Sequence, residues 1–424
     1  MPRRDELEIT RHAEGLLLRL LSQNDLANDA GLSPCDIPAE LLAVAQRLQA
    51  INFDELAQVI VMWIQQHSSP VSRRELLSKL GAAFTLAAAA PLLDLLGPDE
   101  YEHVTRVVQE PAEFDESALS YCERIVGSLR RQGDVLGPQL TLQSAVGHRC
   151  IAQRLAKVAP APFQKRAVSA YAELTQFIGW LCFNMGDCRS AQHYYDDARI
   201  AAHDAENVEL VTYVLCTMSH LATWQGKPRV GIDHAAAAAV WAKNASTLAQ
   251  AYAADVAVRA YAADNQRDKC RESLDREYAM LKAVPADLAL PSWWYFYNES
   301  FYWSTEGESA LKLHQPQAAI QALDKSLALI DPANLHNYVF QQLDRAEAHI
   351  QQAAIEEAGS IMVDATIRAA DNSSGRITQR LTTLRGLLAP WERTKVVREL
   401  DAQLLAYRPE CGSGSGRRNS TYSG

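Results

Sequence analysis

Glycine (20) and proline (17) are scarce in this chain of 424 residues. Frequent hairpin turns need those residues, so a strand-rich fold is disfavoured, whereas abundant alanine makes long helices easy to build. Cysteines are present but unpaired in pattern: Cys35, Cys122, Cys150, Cys182, Cys188, Cys216, Cys270 and Cys411 include no Cys-x-x-Cys and no histidine at zinc-ligand spacing. Neither a disulfide frame nor a zinc site is indicated. Positive charge is in deficit, with 41 Lys+Arg against 51 Asp+Glu and a formal net charge of -10, which disfavours a general polyanion binder. Catalytic motifs are missing as well. There is no Gly-x-Ser-x-Gly, no Gly-rich phosphate loop and no His-Glu-x-x-His, and His193 and His203 are scattered rather than paired. Carboxylate pairs such as Asp196-Asp197 and Glu356-Glu357 read as solvated helix faces that neutralise neighbours. An enzyme is therefore not expected, and no cofactor or metal is called for.

The Met1 end places Arg3, Arg4, Asp5, Glu6 and Glu8 before any apolar run, the wrong charge order for a secretory peptide. Ser72-Arg73-Arg74-Glu75-Leu76-Leu77 imitates a twin-arginine export signal but begins about seventy residues in, where such a signal does not belong. The apolar stretch Leu80–Leu93 that follows is shorter than the ~20 residues a membrane span needs, and Asp94 ends it. A buried helix and a cytoplasmic, non-membrane protein are expected.

What the chain does have is a long-period repeat from about Tyr171 onward. Gly179, Gly186-Asp187, Ala191, Tyr194-Tyr195 and Ala198 keep the offsets of the tetratricopeptide repeat: small, turn, small, aromatic, small. Small residues are needed where helices A and B approach, and the aromatic fills the space between repeats. The same frame places turn residues at Gly226, Asn265, His314 and Ala353, at spacings of 40, 39, 49 and 39. The 49-residue interval holds Pro285, Pro291 and the run Trp293-Trp294-Tyr295-Phe296-Tyr297, where a loop insertion is expected. Its aromatics either form an interaction patch or fill a hole at an irregular junction.

The expected fold is all-α, a tetratricopeptide-like α-solenoid with a small N-terminal helical segment. Its parts are an N-terminal segment (1–70), an Ala-rich linker helix (71–95), irregular helical pairs (96–170), five repeats (171–372), two capping helices (373–408) and a disordered tail (409–424).

Ser22-Gln23-Asn24-Asp25-Leu26-Ala27-Asn28-Asp29-Ala30-Gly31-Leu32-Ser33, followed by Ile37, resembles the second helix and turn of a xenobiotic-response-element type helix-turn-helix. With the Ser72–Leu77 linker, Phe177–Asp187 and the ending Leu387-Leu388-Ala389-Pro390-Trp391, the chain resembles actinobacterial-type regulators that join such a module to a tetratricopeptide array. The sensor-half likeness runs from about Ser72 to Leu405. It implies transcriptional regulation and an array that binds short signalling peptides. The sequence departs from that pattern at the DNA-reading end. Pro38 breaks the recognition helix, and no Lys or Arg lies between Leu21 and Gln46 while Asp25, Asp29, Asp36 and Glu40 do. A degenerate module, and an adaptor that acts through a partner protein without touching DNA, is the alternative. DNA and a homodimer remain open as partners.

In arrays of this kind helix A lines a groove that takes a peptide or protein ligand. The frame maps Glu173, Gln176 and Trp180 onto that lining, then Tyr213 and His220, then Tyr252, Asp255 and Arg259. The fourth repeat adds Phe301, Ser304 and Glu308, and the fifth adds Phe340 and Glu347. Aromatics mixed with both charge signs suit a peptide. The same residues could instead line a solvated groove or pack against a sixth element.

Overall fold

A computed structural model of the chain describes residues 103–104, 106–107, 114–285, 290–330, 334–369 and 374–407. The helix-turn-helix-like segment, the linker with its Ala-rich helix and the tail lie outside them. Between Glu116 and Ala406 the described residues form fourteen α-helices and no strand. They are α1 (Glu116–Leu136), α2 (Pro138–Val158), α3 (Gln164–Asn184), α4 (Cys188–Asp204), α5 (Val208–Trp224), α6 (Pro228–Ala242) and α7 (Thr247–Ala263). There follow α8 (Arg267–Lys282), α9 (Glu299–Lys312), α10 (Pro316–Leu329), α11 (Leu335–Gln351), α12 (Ile355–Ala369), α13 (Gly375–Leu387) and α14 (Lys395–Ala406). The fold is all-α and of the expected tetratricopeptide-like kind, with consecutive helices packed as A/B pairs.

Local chemistry sets the helix ends. Asp115, Ser246, Asn298 and Ser374 accept from the backbone N–H three residues on and so cap α1, α7, α9 and α13. Proline opens α2, α6 and α10, where its missing N–H costs nothing. The five turn positions of the repeat frame share one backbone state. Gly186, Gly226, Asn265, His314 and Ala353 have φ of 85°, 72°, 57°, 56° and 58°. At four of them the next residue's N–H returns to the carbonyl five back, as in Lys227 to Ala222 and Ala354 to His349, which is the Schellman closure of a helix. Two of the five are glycine, for which this region carries no steric cost.

The A and B helices approach where the frame places small residues. A Cβ on Gly179 would lie 2.6 Å from the Tyr195 ring, and one on Gly307 2.6 Å from Leu323. Ser219 donates its hydroxyl to the Gly231 carbonyl at 2.7 Å, another contact that larger residues would prevent.

The chain divides into two compact units, residues 1–182 with 189–214, and residues 183–188 with 215–424. The first has a core that includes Leu119, Ile125, Leu129, Phe177 and Leu210. In the second the A helices touch in succession, α7 to α9, α9 to α11 and α11 to α13, and α7, α9 and α11 each meet their own B helix while α14 packs on α12. Val339, Leu343, Met362, Leu381, Leu384, Val397 and Leu400 join α11 to α14 in one apolar cluster. The expected insertion is the connection from Lys282 to Glu299, which holds a short 3-10 turn at Ser292–Trp294. Trp293, Trp294 and Tyr297 are buried and pack as core, so most of that aromatic run fills the junction. No described helix is long and apolar enough to cross a membrane.

Candidate ligand surface on the A helices

In the first unit two arginines from the leading helical pair reach the first repeat. Arg130 of α1 donates to Gln176 Oε1 at 3.0 Å and to Glu173 Oε1 at 3.4 Å, and its guanidinium lies over Phe177 and Tyr213. Gln176 and Tyr213 are both buried, so neither offers an open surface to a ligand here. Arg149 of α2 donates to Thr175 Oγ1 at 2.9 Å, to the Tyr171 hydroxyl at 2.6 Å and to Asp197, and it lies over Tyr171 and Tyr194. Asp197, 34% exposed, neutralises Arg149 as its counter-ion, in line with the expectation for that carboxylate pair. Glu356 and Glu357 are exposed, as expected. Trp180 is half-buried.

In the second unit three mapped residues come together. Arg259 donates through Nε to Asp255 Oδ2 at 3.1 Å, through one amino group to Glu308 and through the other to Thr305, whose hydroxyl donates to Asp255. Phe301 lies under the Arg259 guanidinium at 5.2 Å and edge-on to Phe296, while Tyr252 sits among Trp294, Phe296 and Tyr297. Ser304 is half-buried beside Thr305. Glu277 on helix B was not singled out, yet it is fully buried and accepts from the Tyr297 hydroxyl at 3.0 Å. Burial and the neighbouring Asp255 charge push its carboxyl well above the ordinary glutamate range, so it holds a proton where exposed carboxylates do not. Asp255 is pushed up too, by burial, though Arg259 works against the rise. Burial acts upward most strongly on Glu308, and the charges of Arg259, Lys312, Arg380 and Arg376 together outweigh it and keep that carboxyl low.

The network continues through the last A helices. Arg380 of α13 donates to Asp344 at 2.7 Å and pairs with Glu347, both on α11. Burial raises Asp344 to about 6, offset in part by Arg380. Arg376, one turn earlier on α13, lies over Phe183, Trp224 and Phe340 at 4.0, 4.3 and 4.8 Å. His220 packs edge-on against Phe183, and burial plus the Arg376 and Arg259 charges hold it neutral far below the usual histidine range. His336 is held at about 3 by burial and Arg376. Phe340 and Glu347 thus meet a sixth A helix, the second of the two arrangements the sequence left open.

Arg130, Arg376 and Arg380 escaped the sequence reading because they act on helices outside the repeat frame. Glu277 had a signal: it follows Cys270 and Leu274 at core spacing, where an acid is out of place. Among the described residues no cluster of histidine, cysteine and carboxylate could hold a metal.

No family model matches the chain, and no curated protein matches it. Among solved structures it is similar to the crystal structure of BtubC (BKLC) from P. vanneervenii, at 14% identity and a TM-score of 0.39, over 54% of this chain and 89% of that one.

Proposed function

We propose that the chain is a regulatory protein, a regulator of transcription whose A-helix face senses a peptide or small signal or docks a partner. One observation supports the ligand-binding part of this reading. Four carboxyls on A helices of the second unit, Asp255, Glu308, Asp344 and Glu347, are drawn together with Arg259, Arg376 and Arg380, and Glu308 also feels the Lys312 charge. Taking charges out of water costs several kcal/mol per ion, on the order of what well-packed apolar side chains would avoid. An A-helix face that mixes both charge signs with aromatics suits a peptide, and half-buried His220, Phe301, Ser304 and Glu308 give it accessible contacts.

A second reading is favoured by the acidic Leu21–Gln46 stretch without Lys or Arg: an adaptor that acts through a partner protein and has no DNA affinity of its own. Fluorescence anisotropy of the purified protein with DNA from its own upstream region, at low and moderate salt, separates the two. Binding that is sequence-dependent and falls steeply with salt supports a direct regulator. Absence of binding at low salt, with a stable partner recovered by pull-down, supports the adaptor. If neither DNA nor a partner binds, the regulatory reading fails.

A further inference from the structure

The first turn of α13 presses three consecutive residues onto the turn Phe183–Gly186, some 190 positions away in sequence. Ser374 donates its hydroxyl to the Asn184 carbonyl at 2.9 Å. Gly375 approaches so closely that a Cβ would lie 2.2 Å from the Met185 carbonyl oxygen. Arg376 donates to Asn184 Oδ1 at 3.1 Å and stacks on three aromatic faces. Each contact dictates a residue type: a small hydroxyl donor, no side chain at all, and a planar cation. A guanidinium satisfies the last demand better than an ammonium, because its charge is spread over a plane that stacks on rings and is weakly hydrated. The order Ser-Gly-Arg occurs at one other place in the chain, Ser415-Gly416-Arg417 in the tail.

We propose that Phe183, Trp224, Phe340 and Asn184 form an arginine-recognition site that reads Ser-Gly-Arg. Arg376 fills it in the described structure, and the chain's own tail segment Ser415-Gly416-Arg417 exchanges with it. The use of the site rests on the reading of the A-helix face as a ligand surface. The two histidines beside Arg376 are uncharged, so they do not repel a cation, and Glu308 lies close enough to feel the Arg376 charge. The tail is tethered to the same chain, which makes the exchange intramolecular and raises its effective concentration.

The test uses the full chain and a synthetic peptide copying residues 413–420, followed by tryptophan fluorescence, since Trp224 is part of the site. Three proteins are compared: wild type, Arg376→Ala, and Arg376→Ala combined with Arg417→Ala and Arg418→Ala. The last has neither resident nor tail competitor and binds the peptide tightest, and wild type binds it at least about tenfold more weakly. A peptide with alanine in place of its first arginine loses at least about tenfold on the emptied site. Failure of the folded triple variant to bind, or equal binding of the arginine and alanine peptides, overturns the proposal. Where far-UV circular dichroism shows that Arg376→Ala does not fold, Arg376→Lys keeps the charge and must give the same order of affinities with smaller ratios. A different order there overturns the proposal equally. Peptide binding that leaves DNA and partner binding unchanged retains the arginine site and counts against the regulatory reading. Intact DNA or partner binding without peptide binding removes the arginine site alone.

Discussion

Arg149 in the first unit and Arg259 in the second are assembled from the same parts in different surroundings. Each donates to a threonine hydroxyl and to carboxylate, and each lies on an aromatic ring. Arg149 keeps 18% of its side chain exposed and answers one acid that is 34% exposed. Arg259 keeps 8%, answers Asp255 at 1% and Glu308 at 28%, and has the buried Glu277 close by. The first arrangement is balanced and half in water, so it can link α2 to the first repeat at little cost. The second takes more of its charge out of water, where solvation is lost and the mutual attraction need not repay it. The contrast separates charge that joins helices from charge that the fold itself does not require.

The largest expected effect comes from removing each cation in turn. Arg259→Met strands two carboxylates in a buried setting and should lose about 3–5 kcal/mol in urea unfolding. Arg149→Met frees Asp197 into solvent and should lose about 1 kcal/mol. Equal losses would erase the distinction between the two regions.

A second test concerns protons. Glu277 has a folded pKa above its unfolded value, so between those values the folded state binds more protons and stability falls as pH rises through that window. Asp255 and Asp344, the latter raised to about 6, act in the same sense. His336, held at about 3, acts in the opposite sense: stability falls as pH drops from the ordinary histidine range toward that value. Glu277→Gln keeps an acceptor for Tyr297 and removes one titration. The decline of the urea midpoint above the ordinary carboxylate range should become shallower, with the acid limb unchanged. An unchanged slope on the alkaline side would show that Glu277 does not hold its proton.

The smallest effect tests what the regions share. Glu206 in the first unit and Ala353 in the second both adopt left-handed backbone, φ 53° and 58°. Glycine at either position should raise stability by less than about 1 kcal/mol, and by similar amounts, since the helix-ending geometry is the same. Thermal midpoints that move in opposite directions would show that the turns are not equivalent.

The repeat frame was legible because it is local. A turn residue and the small residues on either side of it lie within one helical pair, and five such turns recur in phase, even where His314 and Ala353 do not advertise a left-handed backbone by type. The Asp255–Arg259 pair was legible for the same reason, as neighbours one helical turn apart. Contacts made across the chain were not. Nothing in the local pattern at Gly375-Arg376 says that it will meet Asn184, and nothing near Arg130 says that it will cover Gln176 and Tyr213. Helix A residues were therefore placed on the correct helices, while the side chains that cover them came from outside the frame. Buried Glu277 was missed by attention to one helix of each pair.

The Asp255–Arg259–Glu308 network is proposed to serve recognition and not the stability of the fold. Its direct test is the unfolding free energy in urea of the full chain carrying Asp255→Leu, Arg259→Met, Thr305→Val and Glu308→Leu together. The expected result is an unchanged m-value with stability either equal to wild type or higher by up to about 4 kcal/mol. A loss of about 3 kcal/mol or more would contradict it, because the network would then be holding the helices together.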